Sequence, residues 1–177
     1  MRKMVYFTHR KSESQNQVID GSSSPDFLAS QSAGFRKRHD NALSSTFMTY
    51  VDTSKALLGA VAEWKSAAEL AVDLECENNL HHYGAYISLI QISTKNKNWI
   101  IDVLQLGDIK PLIVVLETPA IQKIFHDVSF DFRILQDQFS CHPRNVFDTQ
   151  IAALFLGKEH LGLGDLLKEY FGVEKES

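Results

Sequence analysis

The chain has only two cysteines among its 177 residues, Cys76 and Cys141, and neither has partners at zinc-ligand spacing. A lone pair of thiols is expected to be reduced rather than bridged, so both read as packing residues. Long hydrophobic runs are missing too. No stretch of about 18 apolar residues occurs, and the start "MRKMVYFTHRKSESQNQ" turns polar too soon for a signal-peptide core. The expectation is an intracellular, soluble protein with no membrane partner. Positive charge is short as well, 18 Lys/Arg against 22 Asp/Glu, and unevenly so. Residues 1–45 hold seven Lys/Arg and four Asp/Glu, which leaves eleven against eighteen, a net of −7, for residues 46–177. An acidic body is poorly suited to passive binding of a phosphate backbone. It suits an enzyme whose acids hold Mg²⁺, because bound ions reverse the local field.

What is present fits one compact core: 44% of residues are apolar and 10% aromatic. Residues 1–45 are rich in Ser, Gln, Asn and charge without helical or strand period, and are expected to form a disordered polar tail. Its Arg36-Lys37-Arg38 cluster reads as a solvated charge run before it reads as a phosphate contact or a targeting signal.

From residue 46 the pattern tightens. "TFMTYVDT" alternates as a strand, and "SKALLGAVAEWKSA" follows as a helix with Leu57, Val61, Trp64 and Ala68 on one face. "ELAVDLE" is the next strand, with Leu70, Val72 and Leu74 pointing one way and Ala71, Asp73 and Glu75 the other. "YISLIQIST" and "NWIIDVL" flank the polar "KNKN" as an antiparallel hairpin. A helix over "GDIKPLIVVLET" with Pro111 in its first turn, a short strand "AIQKIFH" and a helix from about Ser129 come next. Two helices close the chain: "TQIAALFLG", capped by Asp148, and "LGDLLKEYFG", stopped by Gly172. Strands followed by alternating helix and strand describe an α/β sheet with flanking helices, whose ligand sites gather at the carboxyl ends of strands.

Asp73 and Glu75 leave such a strand on one face, where two carboxylates can bind one hard cation. Asp-x-Glu alone reads as the polar end of a strand before it reads as a site. Asp131 adds to it, falling in the first turn of a helix that follows a second strand, and can face Asp73 if the two strands are neighbours. Clustered carboxylates repel one another unless a cation neutralises them. On its own, Asp131 at a helix start is also ordinary dipole stabilisation.

The blocks "AVDLE", "LIQIST", "WIIDVL", "KIFHDVSFDFRILQDQF", "NVFDTQIAALFLG" and "LGLGDLLKEYFGV", in this order and spacing, resemble the 3′-to-5′ exonuclease domain of the RNase D family, a branch of the DEDD nucleases. The resemblance covers about residues 46–173 and implies an RNase H-like mixed sheet with flanking helices. It further implies removal of nucleotides from single-stranded RNA or DNA 3′ ends with two Mg²⁺ or Mn²⁺ ions, about 3.5 to 4 Å apart in such centres. Carried over, Asp73 and Glu75 match the first motif and Asp131 the second, which makes all three metal ligands and catalytic acids. The third motif, Tyr-x-x-x-Asp, has no counterpart before Ser177. The resemblance therefore implies a domain without its last helix and fourth acid, and a nuclease that is weak or inactive, or else a decayed nucleic-acid or protein-binding module of the same fold. His160-x₄-Asp165 resembles the third motif of a sister branch, yet its block aligns with the helix before motif three, which favours a helix start. His126 is a phosphate contact or an edge histidine, Asp127 an outer acid or a helix cap, and His81, His82 and Tyr83 lie in a loop that could meet substrate. Asp102 resembles a family strand-end acid that binds no metal.

Overall fold

The computed structural model describes residues 47–78 and 85–173. The expected tail, the Arg36-Lys37-Arg38 cluster and the His81-His82-Tyr83 loop fall outside the described residues. Strand β1 (Phe47–Val51) leads into helix α1 (Ser54–Trp64), and β2 (Glu69–Asn78), β3 (Ala85–Ser93) and β4 (Lys97–Asp102) follow. A short helix α2 (Val103–Leu106), helix α3 (Lys110–Glu117), β5 (Gln122–Phe125), α4 (Ser129–Phe139), β6 (Val146–Asp148), α5 (Thr149–Phe155) and α6 (Leu163–Phe171) complete the order.

The six strands form one mixed sheet in the order β1-β4-β3-β2-β5-β6. Only the β2–β3 and β3–β4 pairs are antiparallel, so β1, β4, β2, β5 and β6 all run the same way. This bears out the mixed α/β sheet. Three details differ from the expected elements. The segment "VFD" is a sixth strand of three residues, too short to show a period. The strand "NWIIDVL" stops at Asp102, whose carboxylate accepts the Gln105 N–H at 2.9 Å and starts α2. Helix α1 ends at Trp64, so Ala68 lies beyond its apolar face.

Alternation along β2 sends Leu70, Val72 and Leu74 into the core. Ile90, Ile92, Trp99, Ile101 and Phe125 from neighbouring strands join them, and Leu57, Val61 and Trp64 of α1, Leu112 and Leu116 of α3, and Leu135 of α4 belong to the same buried cluster. Trp64 and Trp99 meet edge to face with ring centroids 5.6 Å apart. Each such buried side chain contributes about 1.5 to 3 kcal/mol, and the aromatic pair somewhat more. Lys123 is fully buried among them; its ammonium donates to the Thr118 and Ile121 carbonyls, both at 2.6 Å, and so closes the turn between α3 and β5. Helices α5 and α6 bury Ala153, Leu166 and Leu167 apart from this core and leave Phe155 87% and Leu156 70% exposed.

Candidate functional site

The parallel strands end their runs on acids: Asp52 follows β1, Asp102 closes β4, Asp127 stands just past β5 and Asp148 closes β6. On β2 the acids fall inside the strand, because the hairpin register keeps β2 paired with β3 as far as Asn78↔Ala85. Its parallel partner β5 pairs only through Ala71↔Ile124. Asp73 and Glu75 thus stand just past the point where β5 gives way to the turn before α4. Asp73 is exposed and Glu75 half-buried on the face opposite the core.

Asp131 lies in the first turn of α4, half-buried. Burial, then the nearby charges of Asp73, Asp127 and Asp148, push its carboxyl up to about 7. Burial, then Asp131, Glu75 and Asp73, push the Cys76 thiol up to about 11. Asp73, Glu75, Asp131 and Cys76 therefore share one neighbourhood. Cys76 remains a protonated, unpaired packing thiol. Among the described residues no three His, Cys, Asp or Glu side chains are gathered as a ready-made metal cage. A closed cage is not what Mg²⁺ demands, since it takes one or two carboxylates and fills its shell with water and substrate phosphate oxygens. An all-oxygen donor set, with Asp131 raised by burial and then by the neighbouring acids, fits a hard divalent cation.

Three side chains hold this arrangement; the sequence singles out neither Gln91 nor Gln138, and Asp148 only as a helix cap. Gln91 stands in register with Asp73, is 7% exposed, and donates from Nε2 to Glu75 Oε1 at 3.2 Å. An amide inside the apolar run "LIQI" was the available signal, since buried polar groups need partners. Gln138, two turns after Asp131 on α4, accepts from Ile87 N–H at 3.0 Å and donates to the Ala85 carbonyl at 3.2 Å. Its carboxamide thus serves β3 as a neighbouring strand would. The register between β2 and β3 shifts here, Glu75 facing Leu89 and Cys76 facing Ile87, so Ser88 is an extra residue on β3. The Ser88 hydroxyl donates to the Glu75 carbonyl at 3.0 Å and braces the bulge.

Asp148 is the third. It caps α5 as expected, accepting from Gln150 at 2.8 Å and Ile151 at 3.3 Å, and it also accepts from Val128 at 2.9 Å and Asp127 at 3.2 Å. Burial would raise its carboxyl, but these four N–H groups outweigh burial and hold it below the usual carboxylate range. The turn it grips is a tight one, with Asp127 left-handed at φ 59°. Asp127 does not cap α4; its carboxylate accepts the Ser129 hydroxyl at 3.1 Å. His126 is half-buried with Nδ1 2.8 Å from the Thr149 hydroxyl, which itself donates to the Phe125 carbonyl at 3.1 Å. Burial holds this imidazole below its usual range against the pull of Asp148, Asp127 and Asp73.

The remaining sequence candidates are Asp165, His160 and Asp102. Asp165 is exposed in the first turn of α6, its carboxylate folded over Gly162, and His160 is exposed just before that helix. Asp102 accepts the Tyr50 hydroxyl at 2.5 Å besides capping α2.

Comparison with known proteins places this geometry. A family model described as a 3′-5′ exonuclease matches residues 48–177. The exosome complex component 10 homolog of Drosophila melanogaster is 35% identical over 136 residues, 75% of this chain and 15% of that protein. The catalytic core of RRP6 from Trypanosoma brucei superposes with a TM-score of 0.70 at 32% identity, over 76% of this chain and 37% of that one. Escherichia coli RNase D gives 0.68 at 28% identity, over 73% and 34%. The chain spans 13 to 15% of the length of the exosome components it matches in fly, mouse and rat. With a family match from residue 48 onward and the sheet of these nucleases, the chain belongs to the 3′-5′ exonuclease family that includes RNase D and RRP6.

Proposed function

We propose that residues 46–173 form a metal-dependent 3′-to-5′ exonuclease domain, with residues 1–45 as a tail outside it. Asp73, Glu75 and Asp131 are its metal-binding acids, and Mg²⁺ or Mn²⁺ its cofactor. The observation that carries this reading is Asp131, delivered by β5 and α4 against Asp73 and raised to about 7 partly by that charge. A solvated strand end gives no reason to bury an acid beside other acids. Bound divalent ions would supply charge stabilisation at the scissile phosphate and a water activated for attack. The chain's own part is to bring Asp131 beside Asp73 and to fix Glu75 through Gln91.

RNA is the substrate this reading favours, because the related Escherichia coli enzyme is described as an exoribonuclease involved in structured RNA processing. A 5′-labelled RNA with a free single-stranded 3′ end should shorten stepwise with Mg²⁺ or Mn²⁺, and a DNA of the same sequence serves as comparison. Asp73→Ala should abolish shortening. Degradation that persists in this variant, or in excess EDTA, overturns the assignment.

A second reading is a binding module of the same fold with little or no turnover, in which these acids hold metal weakly or not at all. Calorimetry with Mn²⁺ separates the two. Tight binding of two ions per chain argues for the nuclease, and the absence of heat together with retained RNA binding argues for the module.

A further inference from the structure

We propose that Gln91 is a positioning residue of the metal site, fixing the Glu75 carboxylate through its side-chain amide. The inference rests on the metal reading of Asp73, Glu75 and Asp131 and goes beyond it, since Gln91 itself binds no ion.

Three observations carry it. Gln91 is almost fully buried, in a strand stretch whose neighbours Ile90 and Ile92 are fully buried and apolar. A polar side chain at such a position costs stability unless it is satisfied, and here Nε2 donates to Glu75 Oε1 at 3.2 Å. The register places Gln91 directly opposite Asp73, so its side chain leaves β3 on the face that carries both acids. Glu75 is one side-chain bond longer than Asp73 and swings further about its torsions. Restraint by a neutral donor orients that carboxylate without cancelling its charge, which a Lys or Arg at the same place would do. The bulge adds to this: Ser88 fixes the backbone of Glu75 through its carbonyl while Gln91 fixes the head group. Both ends of the residue are therefore set before any ion arrives.

Outer partners of metal-binding carboxylates typically alter metal affinity by about 10- to 100-fold when removed. The test is titration of the full chain with Mn²⁺, free ion being followed by electron paramagnetic resonance, for wild type, Gln91→Leu, Glu75→Gln and the double variant. Gln91→Leu should weaken Mn²⁺ binding about 10- to 100-fold in the wild-type background and change it little in the Glu75→Gln background, because the group it positions is then gone. If circular dichroism shows Gln91→Leu unfolded, Gln91→Asn, which keeps the amide but falls short of Glu75, takes its place with the same expectation. Unchanged Mn²⁺ affinity on removing the Gln91 amide, or an equal loss in both backgrounds, overturns the positioning role while leaving the metal reading standing. A wild-type chain that binds no Mn²⁺ overturns both.

Discussion

The backbone N–H of Val128 donates to the Asp148 carboxylate at 2.9 Å, and so ties the start of the helix that bears Asp131 to the end of the last strand. The same carboxylate caps α5. One side chain thus sets two helix starts, and α4 needs it because α4 has no side-chain cap of its own.

Asp148→Ala should therefore cost more than an ordinary N-cap, at about 2 to 3 kcal/mol at pH 7, read as a lower urea midpoint. The folded-state pKa of Asp148 lies below its unfolded value. Its stabilisation is then fully present above about pH 4 and is lost as pH falls through the folded value. The gap between wild type and variant should be constant from pH 5 to 7 and narrow below pH 4. A gap that widens in acid would contradict this account.

Gln138→Leu should act on the other end of α4. It leaves the Ile87 N–H and the Ala85 carbonyl without their side-chain partner, at a cost of about 1 to 3 kcal/mol. Amide exchange at Ile87 should accelerate more than exchange at Ile90 or Ile92, which sit deeper in the paired part of β3. Equal acceleration along the whole strand would mean global loosening rather than a local clamp.

How far the sequence carried depends on the range of the forces involved. Alternation in "ELAVDLE" placed Asp73 and Glu75 opposite Leu70, Val72 and Leu74 because the period of a strand is a local property, and the burial of those three leucine and valine side chains agrees. Asp148 was legible as a cap for the same reason. Its grip on Val128 was not, since it depends on β6 lying beside β5, a pairing set by residues far apart in the chain. Gln138 was missed likewise: its partners on β3 are 51 and 53 residues away. Gln91 is the case in between. Its isolation among Ile and Leu signalled a buried partner, and only the β2–β3 register named it as Glu75.

Both thiols should be poorly reactive in the folded protein. Burial pushes Cys141 up to about 12, with Glu117 adding to it, and Cys76 stands at about 11. At pH 8 either is a thiolate about one part in a thousand or less, against roughly a quarter for an ordinary cysteine. Alkylation by iodoacetamide, followed by mass spectrometry, should be slow at both sites and slowest at Cys141, which is only 1% exposed. In urea both should react at the ordinary rate. Fast modification of Cys76 in the native state would remove it from the acidic neighbourhood described above.

Asp131 makes the metal-free protein lose stability as the pH rises. Its folded-state pKa of about 7 exceeds the unfolded value near 4, so between those limits the folded state holds the proton and the unfolded state does not. Stability should decline from about pH 4 to pH 7 and level off above, where both states are ionised. Asp131→Asn removes the titrating group, and without divalent ions it should be more stable than wild type at pH 8 by on the order of 2 to 4 kcal/mol. Mn²⁺ should reverse the ranking, since the cation offsets the charges that disfavour ionised Asp131 and stabilises wild type in proportion to its binding. Thermal melts at pH 5 and pH 8, with EDTA and with Mn²⁺, give the four values needed. Equal stability of the two proteins at pH 8 in EDTA would show that Asp131 is not held under charge repulsion, and a ranking that Mn²⁺ fails to reverse would remove Asp131 from the metal-binding set.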